Sequence, residues 1–504
     1  MFFVRFIPTF PILHRATFVF RDCIHPLLLN AIAIGSLYLG PKDAITKGEV
    51  LWRLAHTAVA TSWQSLINHR GPFDACQGVQ LVITALLGQV YGSLSKNRTI
   101  RTMSQSFHGL GFTWANYLGM FDSEPYATEN LPQPNTSKAE KDHQWRTWVA
   151  RDIQQRALLA HYMLDGLIAQ MSGKATTIRH ASNQLTLLGN EAAFAAGNSD
   201  DWLSIMTAQP TTQPKFRSVF HMLFSPVNDH RWLSYSYSAI SLRVLLEGVQ
   251  SLLSDCDENG EAAVGLPSKN EIRRSLARIH ETISQSVAVS SDERLETLLR
   301  WHVISLDAIA NTPLLGKCIC RRYAVEQHIW ANVKGMRPGP DLGAWATSAD
   351  ARRAMLHAAA IQDIVEQLPR GRAHAIHFPS SLFAAATVYT LFLLAGSVTV
   401  RLPAAVDWAE VVYPANDPCV ALAELAGTVF ASDTSRYIRG EPMAGDVGAA
   451  ASPAAAITTA AVGVTRNLLY EFNSIQKLFG CLNTQWGIAG DMEKVIDKWI
   501  TLCH

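Results

Sequence analysis

The chain has 504 residues, of which 43 are basic and 42 acidic, so its formal net charge is +1. A protein that binds nucleic acid by itself needs clustered Lys and Arg, and neither the charge balance nor any long basic run supplies them. With 48% hydrophobic residues the chain can form a large core, which excludes a disordered protein.

The eight cysteines are scattered without a repeated spacing. A structural zinc site needs pairs of Cys or His a few residues apart, and the nearest approach, Cys318-Ile-Cys320, has no second pair. We therefore expect reduced thiols, and no metal or other cofactor in this chain.

Two apolar stretches have to be tested as targeting or membrane segments. The first stretch is residues 1–7. Arg5 interrupts it and Pro8 and Pro11 follow it, so no secretory signal is expected. Residues 378–400 carry no charge and are long enough to cross a bilayer. Six Ser and Thr side chains lower their hydrophobicity, so we expect a core helix and no membrane partner.

Apolar residues recur at three- and four-residue spacing along most of the chain, and strict alternation is rare. The sequence therefore predicts an all-α protein, a multi-helix bundle or array. Ser137 with Glu140, Ser268 with Glu271 and Ser290 with Glu293 have the spacing of a capping box. The predicted helices span 26–39, 43–69, 74–95, 98–121, 138–172, 198–208, 230–254, 268–287, 291–311, 316–333, 344–368, 380–396, 419–431, 455–479 and 489–502.

Breaks between these helices fall where Pro, Gly, Asn and Ser collect. The most acidic break, 255–267, is expected to be a linker. It would separate a first unit, 1–254, from a C-terminal helical region, 268–504, that packs on the first half.

No catalytic motif is complete. Gly173-Lys174-Ala175 lacks the hydroxyl of a phosphate-binding loop, and His280-Glu281 lacks the second His of a zinc hydrolase. Asp200-Asp201 is not followed by further magnesium ligands, and no Gly-x-Ser-x-Gly turn is present. We therefore expect no enzyme; a dispersed active site in a helical cavity is a less favoured alternative.

Residues 143–165 carry the most informative pattern. Trp145, Trp148, Arg156 and Tyr162 lie on or beside one face of an amphipathic helix, which is typical of packing rather than catalysis. Asp152 precedes Arg156 by four residues, so the two side chains can pair along the helix.

This stretch resembles the signature of the fungal-specific transcription factor domain, a helical regulatory region that follows the zinc finger in many fungal regulators. The signature reads Trp, two residues, Trp, three residues, an acid, two residues, two arginines, then an aromatic residue and Leu-Asp. Asp152 stands in place of the usual Glu, and Gln155 in place of the first Arg. The matching residues are Trp145, Trp148, Arg156, Tyr162, Leu164 and Asp165.

More of the first half is similar to this domain. Residues 10–18, with His14, Thr17 and Phe18, resemble its opening, and we expect His14 and Thr17 to fix the start of the first helix. The segments 80–91, 108–121 and 232–248 resemble later helices of the domain.

The resemblance implies a nuclear transcription regulator of RNA polymerase II genes, for example those of a secondary-metabolite cluster. It also implies self-association as a homodimer and contacts with the transcription machinery or co-regulators. The resemblance to the domain's opening begins within a dozen residues of Met1, so we expect no finger in this sequence. DNA binding and zinc would then belong to a missing zinc-finger domain. The alternative is a finger-less interaction protein that inhibits a homologous regulator.

Overall fold

The structure, a computed structural model, describes residues 1–208, 213–225, 230–256, 265–330, 341–369, 373–413, 432–443 and 463–504. Within these residues the chain forms 20 α-helices, several short 3-10 turns and one two-stranded sheet. This confirms the predicted all-α class.

The helices in chain order are α1 (His25–Ser36), α2 (Lys42–Leu66), α3 (Val79–Ser93), α4 (Arg98–Phe107), α5 (Leu110–Tyr117), α6 (Lys138–Ser172), α7 (Glu191–Ala195), α8 (Ser199–Ala208), α9 (Phe216–Phe224), α10 (Ala239–Ser254), α11 (Lys269–Gln285), α12 (Ser291–Ile309), α13 (Thr312–Arg322), α14 (Leu342–Ala346), α15 (Ala349–Gln367), α16 (Phe378–Leu394), α17 (Trp408–Val412), α18 (Asp433–Arg439), α19 (Leu468–Asn483) and α20 (Ile488–Cys503).

The sheet joins two distant parts of the C-terminal region. Strand β1 (Thr399–Leu402) pairs antiparallel with β2 (Val464–Asn467), with Thr399 opposite Asn467. The side chain of Asn467 then accepts hydrogen bonds from the first amides of α19, so the strand leads directly into that helix.

Helix α6 is the longest element described, with 35 residues, and it lies at the centre of the packing. It contacts α3 and α5 of the N-terminal region, α8 and α10 of the middle region, and α13 of the C-terminal region. From Gln154 to Met171 nearly every residue is buried. The second half of this helix is therefore buried on all sides and is not amphipathic.

Two of the three predicted capping boxes are complete. At Ser268 and Ser290 the hydroxyl accepts from the amide three residues on, and Glu271 and Glu293 accept from the serine amides. Ser137 also caps its helix, but the Glu140 carboxylate accepts instead from the side chain of Gln144.

Several predicted helices differ from the observed ones because local breaks were missed. Helix 98–121 is divided at Gly109 into α4 and α5. Helix 230–254 begins only at Ala239, since Ser238 caps α10, and residues 230–234 form a 3-10 turn. Ser348 caps α15 and separates it from α14. Helix 316–333 runs from Thr312 to Arg322, with an Asn311 cap and a Pro in the first turn.

Other differences concern short elements and the C-terminal region. The helices α7, α9, α17 and α18 were not predicted, and each has fewer than ten residues. In its described part the predicted helix 455–479 is helical only from Leu468, where α19 begins, because β2 occupies the four residues before it. The predicted helix 419–431 lies outside the described residues, as does most of the predicted linker 255–267.

The uncharged segment beginning at Phe378 forms α16, and all its residues up to Leu393 are buried. In the part of the chain that is described, no single helix has the length and hydropathy of a membrane span. Helices α12 and α13 meet those criteria only as a pair bent by 65°.

One large hydrophobic core connects the N-terminal, middle and C-terminal parts of the described residues. It includes Phe2 and Phe6 near the N-terminus, Leu164 of α6, and Trp499 of α20. A second, smaller cluster lies between the start of α6 and helices α7 and α8. The domain boundaries 1–254, 255–267 and 268–504 stay a prediction.

A buried ionic network joins α6, α10 and α12. The guanidinium of Arg300 donates to both carboxylate oxygens of Glu247, at 2.8 and 2.6 Å, and also to the side-chain oxygen of Gln170. Arg300 and Glu247 are fully buried. A Cβ at Gly166 would lie 2.6 Å from a Glu247 carboxylate oxygen, so this glycine permits the close approach of α6 and α10.

A cluster of neutral histidines lies in the C-terminal core. The Nδ1 atoms of His302 and His357 are 3.0 Å apart, and both rings pack against Trp408. Burial lowers the pKa of His357 to about 3, assisted by the charge of Arg273, and lowers that of His280 to about 4. Burial also holds the pKa of His302 well below its usual value.

We expect Arg300→Met to lower the free energy of unfolding by about 3 to 5 kcal/mol, because it leaves the Glu247 carboxylate buried without its main partner. The double variant Arg300→Met with Glu247→Leu should lose less than the sum of the two single losses. Equilibrium urea unfolding checks this. Lys47→Met, in the exposed pair with Asp43, is the control and should change little. A loss at Arg300 as small as that of the control would contradict the ionic role.

We expect acidification to destabilise the fold from about pH 6.5 downward. Below this pH the histidines of the unfolded chain bind protons, whereas the buried histidines of the folded chain stay neutral until the pH approaches their lower pKa values. Each such histidine lowers the free energy of unfolding by up to about 1.4 kcal/mol for each pH unit of acidification. Urea unfolding at several pH values should show this slope, and His357→Gln should reduce it. His143→Gln, at an exposed position, should leave it unchanged. Equal slopes in the wild type and His357→Gln would refute the assignment.

Candidate functional site

The residues of the family-like signature converge at the junction of the N-terminal segment, α6 and α7. Within residues 1–24, which precede α1, Pro11 and His14 contact this part of the molecule. Arg156 of α6 is the centre of the junction, with its side chain 1% exposed.

Each of the three guanidinium nitrogens of Arg156 donates a hydrogen bond. Its Nε donates to Asp152 one turn earlier, and its two terminal nitrogens donate to both carboxylate oxygens of Glu191, at 2.9 and 3.0 Å. One of them also reaches the carbonyl oxygen of Pro11 at 3.3 Å. The guanidinium lies 3.6 Å from the ring centre of Phe194. This arrangement ties α6 to α7 and to the N-terminal segment.

Arg156 stays charged in this surrounding. Burial acts to lower its pKa, but the adjacent carboxylates of Asp152 and Glu191 outweigh that effect and raise the pKa. The guanidinium therefore stays protonated across the physiological pH range.

His14 makes a second connection between the same elements. Its Nδ1 lies 3.0 Å from the hydroxyl of Thr17, and its Nε2 lies 3.2 Å from the carbonyl oxygen of Ala196, just after α7. The ring meets Trp145 and Phe194 edge to face. Burial lowers the pKa of His14, so the ring is neutral at physiological pH.

The start of α1 is held by other residues than His14 and Thr17. The amide of Ile24, the residue before α1, donates to the side-chain oxygen of Gln80 on α3 at 2.8 Å. His14 and Thr17 instead connect the N-terminal loop to the end of α7.

Trp145 and Trp148 belong to the smaller hydrophobic cluster between α6, α7 and α8. Trp148 packs against Trp202 with ring centres 6.0 Å apart. Trp148 therefore packs α8 against α6, whereas Trp145 packs against His14 of the N-terminal segment.

Asp165 lies further along α6 and binds two histidines. Its carboxylate accepts from Nε2 of His108 at 2.8 Å and of His180 at 3.1 Å, and from the amide of Thr177 at 3.0 Å. Burial alone would raise the pKa of Asp165, but the hydrogen bonds from the two histidines hold it well below its usual range. Tyr162 packs edge to face on His180, so the last part of the signature fixes the chain after α6.

The signature thus forms two clusters rather than one. The first cluster lies between the N-terminal segment and residues 145–156 of α6, and it contains His14, Thr17, Trp145, Asp152 and Arg156. In the second cluster, Asp165 contacts His108 and His180, and Tyr162 contacts His180. Phe18 packs against Phe3 and Phe20 and lines, with His14 and Thr17, a cavity of about 90 Å³.

Sequence reasoning missed Glu191, Phe194, His108 and His180. Glu191 lies 35 residues from Arg156 in sequence and has no motif of its own. His108 lies in a segment whose resemblance to the family was noted, but nothing in its spacing indicated Asp165 as a partner. Within the described residues, no group of three or more His, Cys, Asp or Glu side chains is arranged to hold a metal ion.

The sequence model of the fungal specific transcription factor domain matches residues 1–281 of this chain. The chain belongs to this family. The match includes the N-terminal segment, α6 and α10, and ends within α11.

Two curated fission yeast proteins are similar to the chain. Zinc finger protein klf1 of Schizosaccharomyces pombe is 25% identical over 247 residues, which are 49% of this chain and 30% of klf1. Zinc finger protein zas1 of the same organism is 23% identical over 223 residues, 44% of this chain and 23% of zas1. The chain thus spans less than a third of the length of these relatives. No solved structure matches it.

We expect Arg156→Met to lower the free energy of unfolding by about 3 to 5 kcal/mol, because two carboxylates lose their common partner in a buried site. Arg156→Lys keeps the charge but not the bidentate geometry, so an intermediate loss is expected. Urea unfolding measures both. Arg151→Met, exposed on the same helix, should stay within about 0.5 kcal/mol of the wild type. If Arg156→Met matched this control, the cluster would not contribute to stability.

Proposed function

We propose that this chain is the helical regulatory body of a nuclear transcription regulator. The observation that carries the proposal is the family match over residues 1–281, within which Arg156 of the signature binds Asp152 and Glu191. The position of this cluster supports the same role, because it connects three separate segments and can hold them in one arrangement.

DNA binding and zinc are assigned to a zinc-finger module other than these residues. Both curated relatives are named zinc finger proteins, which supports such a module. The net charge of +1 favours a separate DNA-binding part, since phosphate contacts require clustered cations. The module could be joined to a longer form of the chain or supplied by a partner.

The remaining parts of the proposal concern partners and chemistry. We propose that the chain associates with itself as a homodimer and contacts co-regulators or the transcription machinery. The genes it regulates would form a defined set, such as a secondary-metabolite cluster. Catalysis is not proposed, because the sequence holds no complete catalytic motif and the signature residues are bound to one another.

A reporter assay tests the proposal. We expect the chain, fused to a heterologous DNA-binding domain, to change transcription from the matching promoter several-fold, whereas the unfused chain does not. Arg156→Met should remove the effect and Arg151→Met should retain it at equal protein level.

A gel shift tests the division of roles. We expect the purified, unfused chain to show no sequence-specific band with promoter DNA. Tight, salt-sensitive binding to one promoter by the chain alone would overturn the assignment of DNA contact to another module.

A further inference from the structure

A cleft of about 630 Å³ lies between the N-terminal helices and the α19–α20 hairpin. One wall is formed by the α1–α2 turn and the first part of α2, and the other by the turn between α19 and α20. The end of α3 and the residues before α4 form its floor. Its volume is within the range of about 300 to 1,000 Å³ that is typical of small-molecule sites.

The two walls are held at a fixed distance by buried polar contacts. Arg101 of α4 donates to Asp491 of α20 at 2.7 Å, and both side chains are at most 10% exposed. The amide of Ile488 donates to the carbonyl oxygen of Leu94 at 3.0 Å, and Gln485 donates to the hydroxyl of Tyr38 at 3.0 Å. The cleft is therefore formed before any ligand arrives, which lowers the entropic cost of binding.

The part of the floor that Tyr91 and Leu94 form is apolar, whereas Ser95, Lys96 and Asn97 make the part before α4 polar. Leu94 and Tyr91 are buried, and Leu37 and Ile45 line the sides of the cleft. Gly40 and Gly480 also line the cleft; a Cβ at Gly40 would meet nothing within 4 Å, and one at Gly480 would lie 3.6 Å from a carboxylate oxygen of Glu493. Such a surface favours the apolar body of a small organic molecule.

Only two of the lining residues, Glu49 and Lys96, are charged. Glu49 is already engaged, since its carboxylate accepts from Arg53 at 2.9 Å and from Asn97 at 2.8 Å. Lys96 is exposed and forms no ion pair with any residue that the structure describes. The available charge at the cleft is therefore positive.

We propose that this cleft binds a small, largely apolar organic anion, whose apolar body rests on Leu94 and Tyr91 and whose acidic group meets Lys96. A ligand in this position would contact both the family-matched part of the chain and the C-terminal hairpin. The proposal is independent of where DNA binding resides.

The other cavities fit such a ligand less well. The cavity beside His14 has about 90 Å³ and the groove beside Trp63 about 120 Å³, both too small for a drug-sized molecule. The cleft beside Arg151 has about 350 Å³, but Asp122 and Glu124 balance the charges of Arg151 and Lys215 there, so its lining carries no net positive charge.

A matched pair of fluorescent probes tests the proposal on the full chain. 1,8-Anilinonaphthalene sulfonate has an apolar body and an anionic group, and N-phenyl-1-naphthylamine has a similar body without charge. We expect saturable binding of the anionic probe at one site per chain. Lys96→Gln should weaken its binding up to about fivefold, as for an exposed ion pair, and change that of the neutral probe less than about twofold.

Steric variants test the location. Thr46→Trp and Thr484→Trp, at exposed positions on opposite walls, should each reduce binding of both probes at least about tenfold without unfolding the chain. Thr57→Trp on α2 and Lys477→Gln on α19, both exposed and outside the cleft, are the controls and should bind both probes like the wild type.

Three results would overturn the proposal. The first is the absence of saturable binding, and the second is binding that neither threonine variant reduces. The third is an equal loss of both probes in Lys96→Gln, which would exclude recognition of an acidic group by this lysine. Circular dichroism of each variant separates loss of the site from loss of the fold.

Discussion

Helix α6 imposes the main constraint on this fold, because it is buried on all sides from Gln154 onward but carries polar side chains there. A buried charge without a partner would cost several kcal/mol, so each must find one in the surrounding chain. Arg156 binds the N-terminal segment and α7, Asp165 binds the chain before α5 and after α6, and Gln170 binds Arg300 of α12. The polar residues of one helix thereby fix the positions of three regions of the chain.

The sequence was informative where the determinants are local. The bounds of α6 and the caps at Ser268 and Ser290 could be predicted, because each depends on residues within one or two turns. The Asp152–Arg156 pair could be foreseen from its four-residue spacing. The partners Glu191 and His180 could not, since they come from segments whose approach depends on tertiary packing. The breaks at Gly109 and Ser238 were missed because the apolar periodicity continues across them.

Asp152 and Gln155, the two residues that differ from the family signature, both make polar contacts. Asp152 is shorter than Glu, yet it reaches Nε of Arg156 because the two residues lie one turn apart on the same helix. Gln155, in place of the first Arg, donates to the carbonyl oxygen of Thr186 and so still binds the chain that follows α6.

The signature and the cleft differ in what their polar groups bind. Around Arg156 and Asp165 the charged groups bind other parts of the chain, so a ligand there would have to displace contacts that stabilise the fold. In the α19–α20 cleft part of the floor is apolar, the walls are already fixed, and the exposed Lys96 forms no ion pair with a residue that the structure describes. Binding there would cost little reorganisation, since no internal ion pair has to break. A structural signature and a ligand site can therefore coexist on one helical body, because their polar groups serve different purposes.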